Sequence, residues 1–309
     1  MTHPLSTSDV PPWGPFRAGA HPVEPARLRS KLAGHEQRTP SVPVEPIIPS
    51  EGRAVLHLFF HVRRDALEGA GGAARDFAAR IDAFDQRDGY QVLAFSVLGQ
   101  KADFGLMALG PDLTALDRFT VDLAASPLGQ ALLPAASYLS LTETSEYTPT
   151  EADEAKRLID EDGLDPTSDE YDTALSAFRH RMETYAEHRL RPQLPARRVI
   201  CFYPMSKRRD PQQNWYALDF AERKDLMAGH AKVGRTYRGR VLQLITGSVG
   251  LDDWEWGVTL LADDPAAIKQ IVYEMRFDEV SAGYAEFGPF VTGLVMPPME
   301  LMRHLQIAT

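Results

Sequence analysis

Apolar and polar positions along this chain follow two periods, and the same order of elements occurs twice. Residues 53–63, RAVLHLFFHVR, predict a strand by their apolar, aromatic and β-branched content. Residues 65–84, alanine-rich with Leu67, Phe77 and Ile81, predict a helix. YQVLAFSVLG (90–99) and ADFGLMALG (102–110) predict two strands of a hairpin. DLTALDRFTVDLAAS (112–126) predicts an amphipathic helix, and ASYLSLTETSEY (136–147) a strand of period two. The second copy has strands at 197–205, 240–250, 254–262 and 288–296, with helices at 219–237 and 264–276. Each copy reads β-α-β-β-α-β, the ferredoxin-like unit.

The expected fold class is α+β: tandem ferredoxin-like (βαββαβ) repeats that form a dimeric α+β barrel within one chain. The helices lie outside, and the strand faces are expected to enclose a ligand cavity. Four segments follow. Residues 1–50 are a Pro-, Ser- and Thr-rich extended arm, either pinned through Trp13 and Phe16 as candidate anchors or a disordered tail. Residues 51–147 are the first half, 148–195 an acidic insertion and connector, and 196–309 the second half.

Composition narrows the function. The 309 residues are 44% apolar and 25% charged, ordinary for a soluble globular protein. A formal charge of −10 argues against nucleic acid as the general partner. Cys201 is the single cysteine, which excludes an intramolecular disulfide and a Cys-based zinc site and suits a reducing cytoplasm. No apolar run approaches the roughly 20 residues that span a bilayer, and the N-terminus lacks the order of a signal peptide. The expectation is a cytoplasmic protein without membrane insertion.

Candidate chemistry concentrates in CFYPMSKRRD (201–210). Strand alternation puts Cys201, Tyr203, Met205 and Lys207 on one face, with Phe202 on the other. That face carries an oxidisable phenol, a thioether and an anion-holding ammonium. The same residues also suit a core tyrosine and methionine with solvated cations at the strand end. His230 follows Met227 by three and Leu226 by four, on the apolar side of its helix. There it is either a satisfied core residue or an axial ligand to a haem-type iron. Gln243 is an amide among apolar neighbours and needs a partner, protein or ligand. Arg189 and Ser281 suit either the surface or a carboxylate. His57 and His61, four apart on a strand, do not make a metal pair.

Five blocks, CFYPMSKRR, NWYAL, ERKDLMAGHAKVGRTYRGRV, QLITGSVGLDDWEWGVTL and YEMRFDEVSAGYAEFGPF, closely resemble the coproheme decarboxylases of the chlorite dismutase superfamily. The match is strong over about residues 197–296 and looser back to about residue 53. The resemblance implies an enzyme of haem biosynthesis and commonly a homopentamer. Its iron-porphyrin substrate is coproheme III (iron-coproporphyrin III), and its oxidant is hydrogen peroxide. Two propionates become vinyls, giving haem b and carbon dioxide. Coproporphyrin ferrochelatase is then a candidate donor. By position, Tyr203 matches the radical-forming tyrosine, and Met205 and Lys207 line the propionate site. His230 matches the axial iron ligand and Gln243 the distal amide. Arg189, Ser281 and Tyr147 match propionate-binding positions. Chlorite dismutases proper carry a distal arginine where this chain has Gln243. Some decarboxylases add a distal histidine, for which His188 is the neighbouring candidate. A haem peroxidase or chlorite dismutase, and a non-catalytic haem carrier, are the alternatives.

Overall fold

The structure is a computed structural model that describes residues 45–67 and 72–307. Trp13, Phe16 and most of the expected arm lie outside the described residues. The first half runs β1 (Ala54–Val62), α1 (Ala73–Asp85), β2 (Gln91–Val97), β3 (Phe104–Gly110), α2 (Leu113–Ala125) and β4 (Leu132–Thr142). Two helices follow, α3 (Glu151–Asp160) and α4 (Asp169–Leu190). The second half opens with β5 (Val199–Lys207), a short hairpin of β6 (Arg209–Asp210) and β7 (Gln213–Asn214), and α5 (Phe220–Arg235). It continues with β8 (Val241–Gly247), β9 (Trp256–Ala262), α6 (Pro265–Met275), α7 (Glu279–Tyr284), β10 (Ala285–Phe287), β11 (Val291–Val295) and α8 (Pro298–His304).

Both halves give the same strand order, β2-β3-β1-β4 and β8-β9-β5-β11, all antiparallel. Two seams close the ring. Leu141 and Thr142 of β4 pair with Gly247 and Thr246 of β8, and Phe95–Val97 of β2 pair with Gly293–Val295 of β11. This is the duplicated α+β barrel expected from the repeat.

Three differences from the sequence expectation bear on the site. The strand expected over 136–147 starts at Leu132 and stops at Thr142. β1 begins at Ala54, opposite Leu141, so the ladder runs out there and Tyr147 falls in a loop. The acidic insertion carries helix, as expected of a surface excursion there: Thr150 closes a capping box with Asp153 at the start of α3, and Ser168 caps the 22-residue α4. α8 had no counterpart in the sequence reading.

The third difference concerns the cavity. Inside the ring, Val55, Phe59, Phe95, Met107, Tyr138, Ile200, Phe202, Leu244 and Leu261 pack as one core. His57 joins them, stacked on Phe202 at 4.1 Å with Nε2 2.9 Å from Thr259 Oγ1. Burial pulls its pKa down to about 3, so it stays neutral. The barrel interior is therefore filled by side chains, not by a ligand space. On the outer face of the first half, α1, α2 and α8 lay Phe77, Ile81, Leu116, Phe119, Leu301 and Met302 over the sheet. The outer face of the second half is only partly covered. α6 contributes Ala267, Ile268 and Ile271 to its core, whereas α5 has no fully buried residue. The open space lies there, between sheet and helices. No helix among the described residues is long and apolar enough to cross a membrane.

Candidate functional site

The floor of this space is a grid set by strand register. Side chains on the outer face of β5, β9 and β8 align as Cys201–Leu260–Gln243, Tyr203–Val258–Ile245 and Met205–Trp256–Gly247. Lys207 continues the β5 column. Alternation on β5 holds through Lys207, so phenol, thioether and ammonium share the face while Phe202 points into the barrel. The roof is helical. Met227, His230, Ala231 and Gly234 recur at three- and four-residue intervals on α5, and Ile271, Val272 and Met275 do so on α6. Together they enclose about 1150 Å³. That is at or above the upper end of ordinary small-molecule pockets, roughly 300–1,000 Å³.

The structure brings Tyr203, Met205, Lys207, Arg189, His230, Gln243, Ser281 and Tyr147 to this one cavity. His188 does not reach it; it lies exposed on α4 and outside the lining.

Tyr203 is buried at 5% exposure and stacks on Phe290 with centroids 4.2 Å apart. Its hydroxyl makes no hydrogen bond among the described residues, and burial pushes its pKa well above the usual phenol value. The phenol therefore keeps its proton at neutral pH. Lys207 is also buried, with Nζ 4.1 Å from the centre of the Trp215 ring. Glu255 accepts from the Lys207 backbone N–H at 2.7 Å, which fixes the strand end. Burial pulls the Lys207 ammonium down to about 8, against Asp278 and Glu255, which raise it. A buried ammonium without a carboxylate in ion-pair contact is a seat for an external anion.

His230 has a defined orientation. Its Nδ1 lies 3.0 Å from Asp278 Oδ2, which leaves Nε2 as the nitrogen available to the cavity. Asp278 also caps α7. Its Oδ1 accepts from Ser281 N at 3.1 Å, and its Oδ2 accepts from Ser281 Oγ at 3.0 Å. Burial raises the Asp278 pKa, but the bonds from His230 and Ser281 outweigh it and hold the carboxyl below its usual range. This is the arrangement that fixes the tautomer of a metal-binding imidazole. Among the described residues, His230 is the one histidine lining the cavity.

Gln243 donates from Nε2 to the Gly234 carbonyl at 3.1 Å, so its amide oxygen remains free. Arg189 arrives from the last turn of α4; its Nε is buried without a hydrogen-bond partner. Tyr147 stacks on Phe220 at 5.8 Å, and Glu146 and Arg223 lie beside its buried hydroxyl. An orphaned donor such as Arg189 Nε at a cavity wall points to an acceptor that arrives with a ligand.

Sequence reasoning missed Asp278, Trp215 and Glu143. Asp278 had a signal, since an Asp three residues before a helical Ser is a capping pattern. Glu143 lay inside an apparent strand, and nothing in the chain order placed Trp215 against Lys207.

A family model described as chlorite dismutase matches residues 70–296. A Natronomonas pharaonis protein with the provisional name heme-binding protein is 41% identical over 266 residues. The match covers 83% of this chain and 41% of that protein, so the chain spans about two fifths of that relative's length. Among solved structures, a protein of Thermus thermophilus described as heme-binding is 35% identical with a TM-score of 0.67. That match covers 85% of this chain and 100% of the other. A mutant chlorite dismutase from Candidatus Nitrospira defluvii has a TM-score of 0.62 at 17% identity, covering 83% and 97%. At that identity the likeness is one of fold.

Proposed function

The chain belongs to the chlorite dismutase family, and from that premise we propose that it binds an iron porphyrin in the cavity and decarboxylates two propionates of coproheme with hydrogen peroxide. The observation that carries the reading is the shared face of β5. Tyr203, a neutral phenol, stands two register positions from Lys207, a buried ammonium, and among the described residues the phenol has no hydrogen bond and the ammonium no ion pair.

The residues fit such a group. His230 Nε2 is free to bind iron while Asp278 holds the ring. The apolar floor and roof suit a flat ring, and Arg189, Lys207 and the Tyr147 hydroxyl suit carboxylates at its edge. When bound, the iron centre supplies oxidising equivalents from peroxide. For each propionate, one peroxide and one proton are consumed; a vinyl, carbon dioxide and two waters result. Tyr203 keeps its proton until it is oxidised, then takes a hydrogen atom from the substrate carbon next to the ring. Lys207 and Arg189 orient the carboxylate that leaves. Ser281 holds Asp278 in place, a supporting role to the carboxylate contact expected of it. Gln243 puts an amide where chlorite chemistry has an arginine.

Substrate choice is testable by binding. Coproheme has two more carboxylates than haem b, each able to make charge-assisted bonds of about 1.5–3 kcal/mol. It is expected to bind at least roughly tenfold tighter at pH 7. The ratio should narrow as pH rises past about 8, where Lys207 loses its proton. Absorbance titrations with both porphyrins across pH 6.5–9.5 measure this; equal affinities at every pH would refute the assignment.

A further inference from the structure

The site contains a carboxyl with no part in the steps above. Glu143 stands one residue beyond β4, in the first half, and reaches the cavity of the second half through the β4–β8 seam. Its Oε1 accepts from Trp256 Nε1 at 3.1 Å. Its other oxygen lies over Gly247, where a Cβ would come within 2.1 Å of it. The bare backbone of Gly247 is therefore what admits the carboxyl to the floor. Arg189 on α4 attracts it electrostatically and has no ion pair among the described residues.

We propose that Glu143 is the proton-carrying residue of this site: it takes up a proton when a substrate carboxylate engages Arg189, and delivers it to the reaction. This rests on the functional reading above. The charges around Glu143 set the direction. Burial raises its pKa; the Trp256 hydrogen bond and Arg189 oppose that, while Glu146 in the same loop and Glu51 ahead of β1 reinforce it. A bound propionate occupies Arg189 and adds a like charge, so both changes favour the protonated carboxyl. The reaction consumes one proton per propionate. As the Glu143 O–H bond breaks, the proton passes to an oxygen derived from peroxide and ends in water. Solvent then restores it to the carboxylate.

The test is a proton count on binding metal-free coproporphyrin III, which avoids iron ligation and turnover. Calorimetry in two buffers of different ionisation heat, at pH 6.5, gives the count for wild type and Glu143→Gln. Lys207, with its pKa near 8, holds its proton at that pH before and after binding and does not contribute. Gln keeps the acceptor for Trp256, and matching thermal melts check that the fold is retained. On binding, wild type should take up at least roughly half a proton more than Glu143→Gln does, and its affinity should fall more steeply with rising pH. Equal counts with intact binding overturn the role of Glu143 alone. Failure of the porphyrin to bind either protein overturns the functional reading and this inference with it.

Discussion

Tyr203→Phe should bind coproheme within about twofold of wild type, yet convert it more slowly by a factor on the order of 10²–10⁴. The substitution removes one oxygen. The ring, its stack on Phe290 and its place between Val258 and the roof all remain, so binding has no reason to change. What disappears is the phenol oxygen, the atom assigned here to give up a proton and an electron together. Burial makes the effect sharper, because a phenol held neutral cannot be oxidised by way of phenolate. A loss in turnover without a loss in affinity marks a group that acts in the transition state only. Mixing the coproheme-loaded Tyr203→Phe protein with peroxide and quantifying porphyrins by chromatography reads this directly. Conversion at the wild-type rate would remove Tyr203 from the mechanism.

His230→Ala should separate iron binding from ring binding. Affinity for coproheme is expected to fall at least roughly 100-fold, while affinity for metal-free coproporphyrin III changes by less than about threefold; Asp278→Asn should lie between, at roughly 10–100-fold for coproheme. The amide in Asp278→Asn can still cap α7 but no longer holds His230 with a full charge. Porphyrin fluorescence and Soret absorbance measure the two affinities on the same preparations. An equal loss for both ligands would make His230 a packing residue of α5.

Much of this site was legible in the chain for one reason: β5 alternates. Period two placed Tyr203, Met205 and Lys207 on one face and Phe202 on the other, and the register of β9 and β8 kept them so. What the chain could not show was which face is open. Ile200 and Phe202 are as apolar as Cys201 and Tyr203, and both halves carry helices of similar pattern. The difference lies in what crosses each outer face. α8 packs Leu301 and Met302 over the first half, whereas α5 spans the second with a row of small and polar residues, Ala231, Gly234 and His230. That contrast is tertiary. It moved the cavity from the expected barrel interior to the space under α5. Arg189 suited surface and carboxylate equally by its own sequence, and Glu143 drew no notice at all, for a related reason. Each reaches the cavity from outside the second half, Arg189 at the end of α4 and Glu143 across a seam, and no local period reports such contacts.

The central claim is that the space under α5 holds coproheme and that Tyr203 with peroxide shortens its propionates. The most direct measurement is a single titration of purified protein with coproheme, followed by stepwise peroxide, with the porphyrins identified by mass at each step. Saturable binding at one equivalent is expected, then a three-propionate intermediate, then haem b, with about one peroxide consumed per propionate. Saturable binding followed by bleaching of the ring, with all four propionates intact, would contradict it.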